Sequence, residues 1–209
     1  MKKLIAVLAF AGLSLSGFAQ DATPTEKYSV STNSFWSNWF VQAGIDWNAW
    51  YSNEEHGQNF ATSPFKKFRS NPGVSVAVGK WFTPGIGLRT KLQGIWGKQV
   101  YDMATGEQGK FNKYWLLNEH VMFNVSNLLY GYNENRVWNV IPFIGGGIGR
   151  TMTHNLYSMD LSAGVQSSWK VAEKLNVYLE AGWNRIEHDI DGGVERGRRG
   201  WDSHDNNLY

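Results

Sequence analysis

The chain has 209 residues, enough for one domain or two small ones, and includes 11 Trp, 23 Gly and no Cys at a mean hydropathy of −0.40. Lys and Arg total 20 against 18 Asp and Glu, and the surplus is Lys2 and Lys3, because the first twenty residues hold no acid. The balanced remainder lacks the basic excess of a nucleic-acid binder, and the missing Cys excludes disulfide frameworks, thiolate metal sites and a lipidated N-terminal cysteine.

Residues 1–20 read as a signal peptide: Met1-Lys2-Lys3, an apolar run from Leu4 to Leu13, then the small residues Ser14, Ser16, Gly17 and Ala19. That run is far shorter than the roughly 20 residues a bilayer-spanning helix needs. Cleavage is expected after Ala19 or Gln20, giving an exported protein. Residues 21–35 are polar and irregular, a leader into residues 36–209, which read as one β domain.

From Trp39 to Tyr51 the odd positions are Trp39, Val41, Ala43, Ile45, Trp47, Ala49 and Tyr51, and the even ones include Gln42, Gly44, Asp46 and Asn48. Alternating side chains of a strand point to opposite faces, so this segment has one apolar and one polar face. The pattern returns over 73–82, where Val74, Val76 and Val78 oppose Ser75, Ala77 and Gly79, and over 86–97, where Ile86, Leu88, Thr90, Leu92 and Trp96 oppose Gly87, Arg89, Lys91 and Gln93. Over 114–125 Trp115, Leu117, Val121 and Phe123 oppose Asn118, His120, Met122 and Asn124. Over 138–149 Trp138, Val140, Ile144 and Ile148 oppose Gly145, Gly147 and Gly149. Over 157–169 Leu161, Ala163, Val165 and Trp169 oppose Asp160, Ser162, Gln166 and Ser168. Over 175–186 Val177, Leu179, Ala181 and Trp183 oppose Tyr178, Glu180 and Asn184. Such lengths suit tilted bilayer-crossing strands, which need about 9–11 residues. Glu119 alone puts a carboxylate on an apolar face, and the register of its strand is kept.

Periodicity does not say which face turns inward, but three features favour a membrane barrel with a polar lumen. Taken alternately, the gaps 52–71, 98–113, 150–156 and 187–209 fall at one end, which collects the long ones, and 83–85, 126–137 and 170–174 fall at the other, where they are mostly short. Tryptophans lie towards strand ends, where aromatic girdles belong. The polar faces carry both signs, Asp46, Arg89, Lys91, His120, Asp160 and Glu180, so they can pair with one another in a narrow lumen.

Other candidate chemistry is sparse. No Ser, His and acid share a recognisable nucleophile spacing, so no catalytic residue is assigned; His56 and His154 are the residues whose removal would test an enzyme acting on lipid. His188-Asp189-Ile190-Asp191-Gly192-Gly193 offers two carboxylates where a hard cation wants six to eight oxygens, so neither metal nor cofactor is expected. Gly145-Gly146-Gly147-Ile148-Gly149 precedes no helix, so it reads as relief of crowding in a lumen rather than a phosphate cradle. Lys66, Lys67, Arg69, Arg196, Arg198 and Arg199 sit in long gaps and are candidates for contact with lipopolysaccharide phosphates or other anionic polymers.

Three motifs in order, Ser34-Phe35-Trp36-Ser37-Asn38-Trp39-Phe40-Val41-Gln42-Ala43-Gly44, Phe123-Asn124-Val125-Ser126-Asn127-Leu128-Leu129-Tyr130-Gly131-Tyr132-Asn133 and Trp138-Asn139-Val140-Ile141-Pro142-Phe143-Ile144-Gly145, resemble the N-terminal barrel of OmpA-like outer-membrane proteins of Gram-negative bacteria. The likeness covers roughly residues 34–186 and implies an eight-stranded up-and-down antiparallel barrel in the outer membrane. It also implies a lumen plug or gate of opposed charges, mapped onto Arg89 and Lys91 facing Glu180, Asp46 and Asp160. In that family a periplasmic domain that binds peptidoglycan often follows; none is present in these residues. Only seven strands are legible, and Asn206–Tyr209 falls in what is expected as the last surface loop, so the barrel domain reads as incomplete at its C-terminus. The function expected is a structural role in the envelope, with at most a small pore. The alternatives are an adhesin or ligand-binding barrel acting through its long loops, and a barrel enzyme acting on lipid. Partners expected are membrane lipid and lipopolysaccharide, with peptidoglycan only through a domain outside this chain and no nucleic acid.

Overall fold

The computed structural model describes residues 12–15, 35–52, 70–94, 99–101, 111–152, 155, 157–187 and 204–209. Eight strands form an all-antiparallel up-and-down sheet: β1 Trp39–Ser52, β2 Ser70–Trp81, β3 Ile86–Gln93, β4 Phe111–Phe123, β5 Trp138–Thr151, β6 Tyr157–Ala172, β7 Leu175–Glu187 and β8 His204–Leu208. Each pairs with its neighbour in sequence, and β8 pairs with both β7 and β1, which closes the ring. Seven of these strands match the alternating segments of the sequence to within a few residues. The eighth corrects the reading of 187–209 as loop. His-Asp-Asn-Asn-Leu is too short and too polar for a period of two to show.

β8 meets β1 only at Ala49–Ser52 and β7 at Trp183–Glu187, towards the long-loop end. Nearer the short-turn end, Gly12–Leu15 lies between the same two strands, pairing with Val41–Ala43 and with Leu175–Tyr178. Unpaired N–H and C=O groups on a strand edge recruit any extended segment. The rest of the expected signal peptide lies outside the described residues. A further short strand, Gln99–Tyr101, extends the hairpin by pairing with Phe111–Lys113.

The alternation resolves with the polar face inward. Arg89, His120, Asn118 and Gln42 are buried, whereas Val41, Ile45, Ile144 and Leu161 are more than half exposed on the outside. Trp138 and Trp169 pair directly near the short-turn end, while Trp115 meets Tyr157 edge-on near the other, so rings sit at two levels of the outer surface. Glu119 keeps its expected register: it faces outward beside Thr90, whose hydroxyl donates to its carboxylate at 2.5 Å, while Asn118 and His120 on either side face inward.

Eight strands enclose a lumen just wide enough for side chains to fill, and glycines make the room. Phe40 lies over Gly79 and Phe143 over Gly164, each the register partner on the next strand. On β5, a Cβ at Gly145 would collide with the Glu119 carbonyl oxygen, and one at Gly147 with that of Leu117. Both sites are bounded by backbone, which cannot swing away. Gly145→Ala should therefore destabilise the barrel by about 1–3 kcal/mol, the usual cost of overpacking. Gly146→Ala, whose Cβ would meet its nearest atom at 3.1 Å, should cost clearly less. Urea unfolding of both variants in lipid vesicles measures the difference.

Candidate functional site

Arg89 and Lys91 are two residues apart on β3, so the pleat sends both into the lumen. Glu180 comes from β7, four strands away in a ring of eight and therefore on the opposite wall. The three meet across the bore. Arg89 Nη1 donates to Glu180 Oε2 at 2.6 Å and Nη2 to Oε1 at 3.3 Å, a two-pronged contact, and Lys91 Nζ donates to the same Oε1 at 2.8 Å. All three side chains are almost fully enclosed. Charge-assisted bonds of this kind are strong, and enclosure leaves little water to compete with them.

Two further strands complete the guanidinium's shell. Gln42 of β1 and Gln166 of β6 each accept from Arg89 Nη1, at 3.0 and 2.9 Å, and Gln42 Nε2 donates to Gln166 Oε1 at 3.1 Å. Arg89 also lies 4.7 Å from the Phe143 ring centre, and Lys91 lies 4.1 Å from that of Tyr209. His120 of β4 stands 3.0 Å from Arg89 Nη2 through Nδ1 and 3.0 Å from Ser162 Oγ through Nε2. Arginine can only donate, so Nδ1 accepts and the ring proton sits on Nε2. The ring consequently donates to Ser162 and cannot take its proton, although the two are spaced as a nucleophile and base would be.

Of the six expected lumen residues, Arg89, Lys91, His120 and Glu180 form one cluster. Asp46 and Asp160 line the same lumen with their own partners: Asp46 accepts from Ser75 at 2.7 Å and Asp160 from Asn118 Nδ2 at 2.7 Å. Lys66, Lys67, Arg69, Arg196, Arg198 and Arg199 lie outside the described residues, as do His56, His154 and His188–Gly193. Gln42, Gln166, Ser162, Phe143 and Tyr209 join the cluster without having been expected there from the sequence. The first three lie on polar faces that the alternation identifies, but which residues meet across the bore depends on the stagger of the strands.

Apolar layers lie on both sides of the charged one. Phe40, Met122, Ile141 and Phe143, with Trp81 and Tyr209 against them, fill the lumen towards the short turns. Tyr114, Leu116 and Ile186 cluster towards the long loops. In the long-loop half, the Gln93 side-chain amide, Asn184 and the second carboxylate oxygen of Asp160 are buried without a hydrogen-bond partner among the described residues. Such a lining suits a few enclosed waters rather than a dry core. Within the described residues the bore is therefore a stack of side-chain layers.

Glu180→Gln removes the acid while leaving both cations enclosed. Breaking a buried pair by deleting one partner typically costs about 3–5 kcal/mol, and a lower urea midpoint in vesicles should show it. Replacing all three charges, Arg89→Met with Lys91→Met and Glu180→Leu, should recover much of that loss, because no orphaned charge remains.

No family model matches the chain, and no solved structure matches it. Among curated proteins it is similar to Outer membrane protein 40 of Porphyromonas gingivalis, 27% identical over 161 residues that cover 71% of this chain and 39% of that protein. It is also similar to Outer membrane protein 41 of the same organism, 26% identical over 199 residues that cover 87% of this chain and 48% of that protein. The chain thus spans less than half the length of the curated relatives it matches. Both relatives carry the name outer membrane protein.

Proposed function

We propose that this chain is an integral outer-membrane β-barrel of the OmpA-like type with a structural role in the envelope, its lumen plugged by the Arg89–Glu180–Lys91 cluster. One observation carries the reading: charged side chains are enclosed while large apolar ones such as Val41, Ile45, Ile144 and Leu161 face out around the ring. In water that arrangement would leave an apolar surface far larger than soluble monomers tolerate, whereas in hydrocarbon it is the favourable one. A closed ring also satisfies backbone hydrogen bonds that lipid cannot. The names of the two relatives support the same location.

The stacked layers favour a structural role over a wide pore, because permeation would require the cross-bore ion pairs and an apolar layer on each side to move together. Lipid and lipopolysaccharide are the partners this role implies. Anchorage to peptidoglycan would belong to a separate periplasmic domain.

Purified protein should migrate faster unheated than boiled in detergent gels, and in planar bilayers the wild type should show only small, infrequent openings. Glu180→Ala, which frees both cations from the opposite wall, should raise the frequency of opening. Large, steady conductance in the wild type would overturn the plugged lumen, and absence of the heat shift would overturn the barrel.

A further inference from the structure

The connection from β4 to β5, Asn124–Val137, is much longer than the other turns at its end of the barrel, 82–85 and 173–174, and it contains a short helix, α1, at Val125–Tyr130. It is pinned rather than loose. Asn124 donates its N–H to the Gly85 carbonyl at 2.8 Å and caps α1 by accepting from the Asn127 N–H at 3.0 Å. Asn127 Nδ2 donates to the Pro84 carbonyl at 2.8 Å, Arg136 donates to Asn127 Oδ1 at 2.6 Å and to the Gly131 carbonyl at 3.0 Å, and Ser126 Oγ accepts from the Val140 N–H at 3.0 Å. From the neighbouring strand, Lys170 Nζ donates to the Glu134 carbonyl at 2.9 Å. Gly131 ends the helix at φ 74, a left-handed conformation that favours glycine.

These bonds turn the polar groups of the segment towards the barrel rim and leave its large apolar side chains outside. Leu129 is 69% exposed and Tyr130 80%, and Leu128, Tyr132 and Val137 are also more than half exposed. Leu128 itself rests on Gly85, where a Cβ would collide with it, so the patch begins against the barrel wall. There it continues into Phe82, Ile86 and Trp138, which belong to the outward apolar belt. Arg136, Lys170 and Lys174 stand at the same rim. Apolar side chains, rings and cations together at one level are the composition of a membrane interface. A protein-docking patch would instead be expected to stand apart from the lipid belt behind a polar rim.

We propose that α1 and the flanking Tyr132 and Val137 form a foot that inserts into the headgroup–acyl boundary of the leaflet at the short-turn end, with phospholipid as its partner. This rests on the membrane-barrel reading. The foot fixes the height of the barrel in the bilayer and resists its sliding, as interfacial anchors do.

The chain has no Cys, so single-cysteine variants take one label each. Leu129→Cys, Asn135→Cys and Ile144→Cys would carry an environment-sensitive fluorophore and be folded into phosphatidylethanolamine–phosphatidylglycerol vesicles. The Leu129 and Asn135 labels would be quenched by lipid spin-labelled near its headgroup, the Ile144 label by lipid spin-labelled in the middle of its acyl chain, and each in turn by aqueous iodide. The Leu129 label should emit to the blue, lose most of its intensity to the lipid quencher and resist iodide, whereas the Asn135 label should respond to iodide. A Leu129 label quenched by iodide alone, beside an Ile144 label quenched by lipid, would overturn the foot and leave the barrel standing. A Leu129 label shielded from both quenchers would mean that protein covers the patch, which also overturns the proposal. An Ile144 label untouched by lipid would remove the membrane-barrel reading itself, and the foot with it.

Discussion

Glu180 reaches across the full bore of an eight-stranded ring to hold Arg89 and Lys91 on the opposite wall. Much of the structure is arranged around that contact. Three charges placed in so enclosed a space are unfavourable unless each finds partners, and the ring supplies them from every quarter: Gln42 from β1, His120 from β4, Phe143 from β5 and Gln166 from β6. The cluster thus ties β3 to β1, β6 and β7, with which it shares no backbone hydrogen bonds. A sheet closes by ladder bonds between neighbours, but its cross-section is held by contacts of this kind.

Volume is the second constraint. Long and aromatic side chains can meet in the bore only where neighbouring strands give way, and the glycines of β5 beside His120 and Asn118, with Gly79 and Gly164 under Phe40 and Phe143, provide that room. A stretch that looks like a phosphate cradle in one dimension is thereby explained by crowding in three. The same economy produces the layers, with rings and aliphatic groups at either end of the bore and charge between them. An apolar layer beside a charged one excludes water from the ion pairs, which strengthens them.

The seven longer strands are legible because a period of two persists in each over many residues, with one face mainly apolar; Lys80, Arg150 and Arg185 fall on that face only near strand ends, and Glu119 falls on it in mid-strand. That signal also gives the phase, and so puts Arg89, Lys91, His120 and Glu180 on polar faces that turn to one lumen. Glu119 shows how far the phase can be trusted: an acid on the apolar face is tolerated because Thr90 on β3 supplies a hydrogen bond. Elements shorter than the period can reveal escape it. β8 offers five residues with one apolar side chain, and α1 spans less than two turns of helix. Phe40, Ile141 and Phe143 sit on the inward face against the polar pattern, since the lumen turns apolar towards the short turns. Pairing across the bore, such as His120 with Ser162, depends on strand stagger, which leaves no local trace in the chain.

Plugged lumen, aromatic levels and interfacial foot all depend on which face meets lipid, and β4 is the strand on which to ask. Single spin labels placed in turn at residues 115 to 122, in protein folded into vesicles, would be tested for collision with dissolved oxygen, which concentrates in hydrocarbon. The expected result is a period of two, with high accessibility at 115, 117, 119 and 121 and low values at 116, 118, 120 and 122. The opposite phase, or no alternation, would contradict a polar lumen inside a lipid-facing wall.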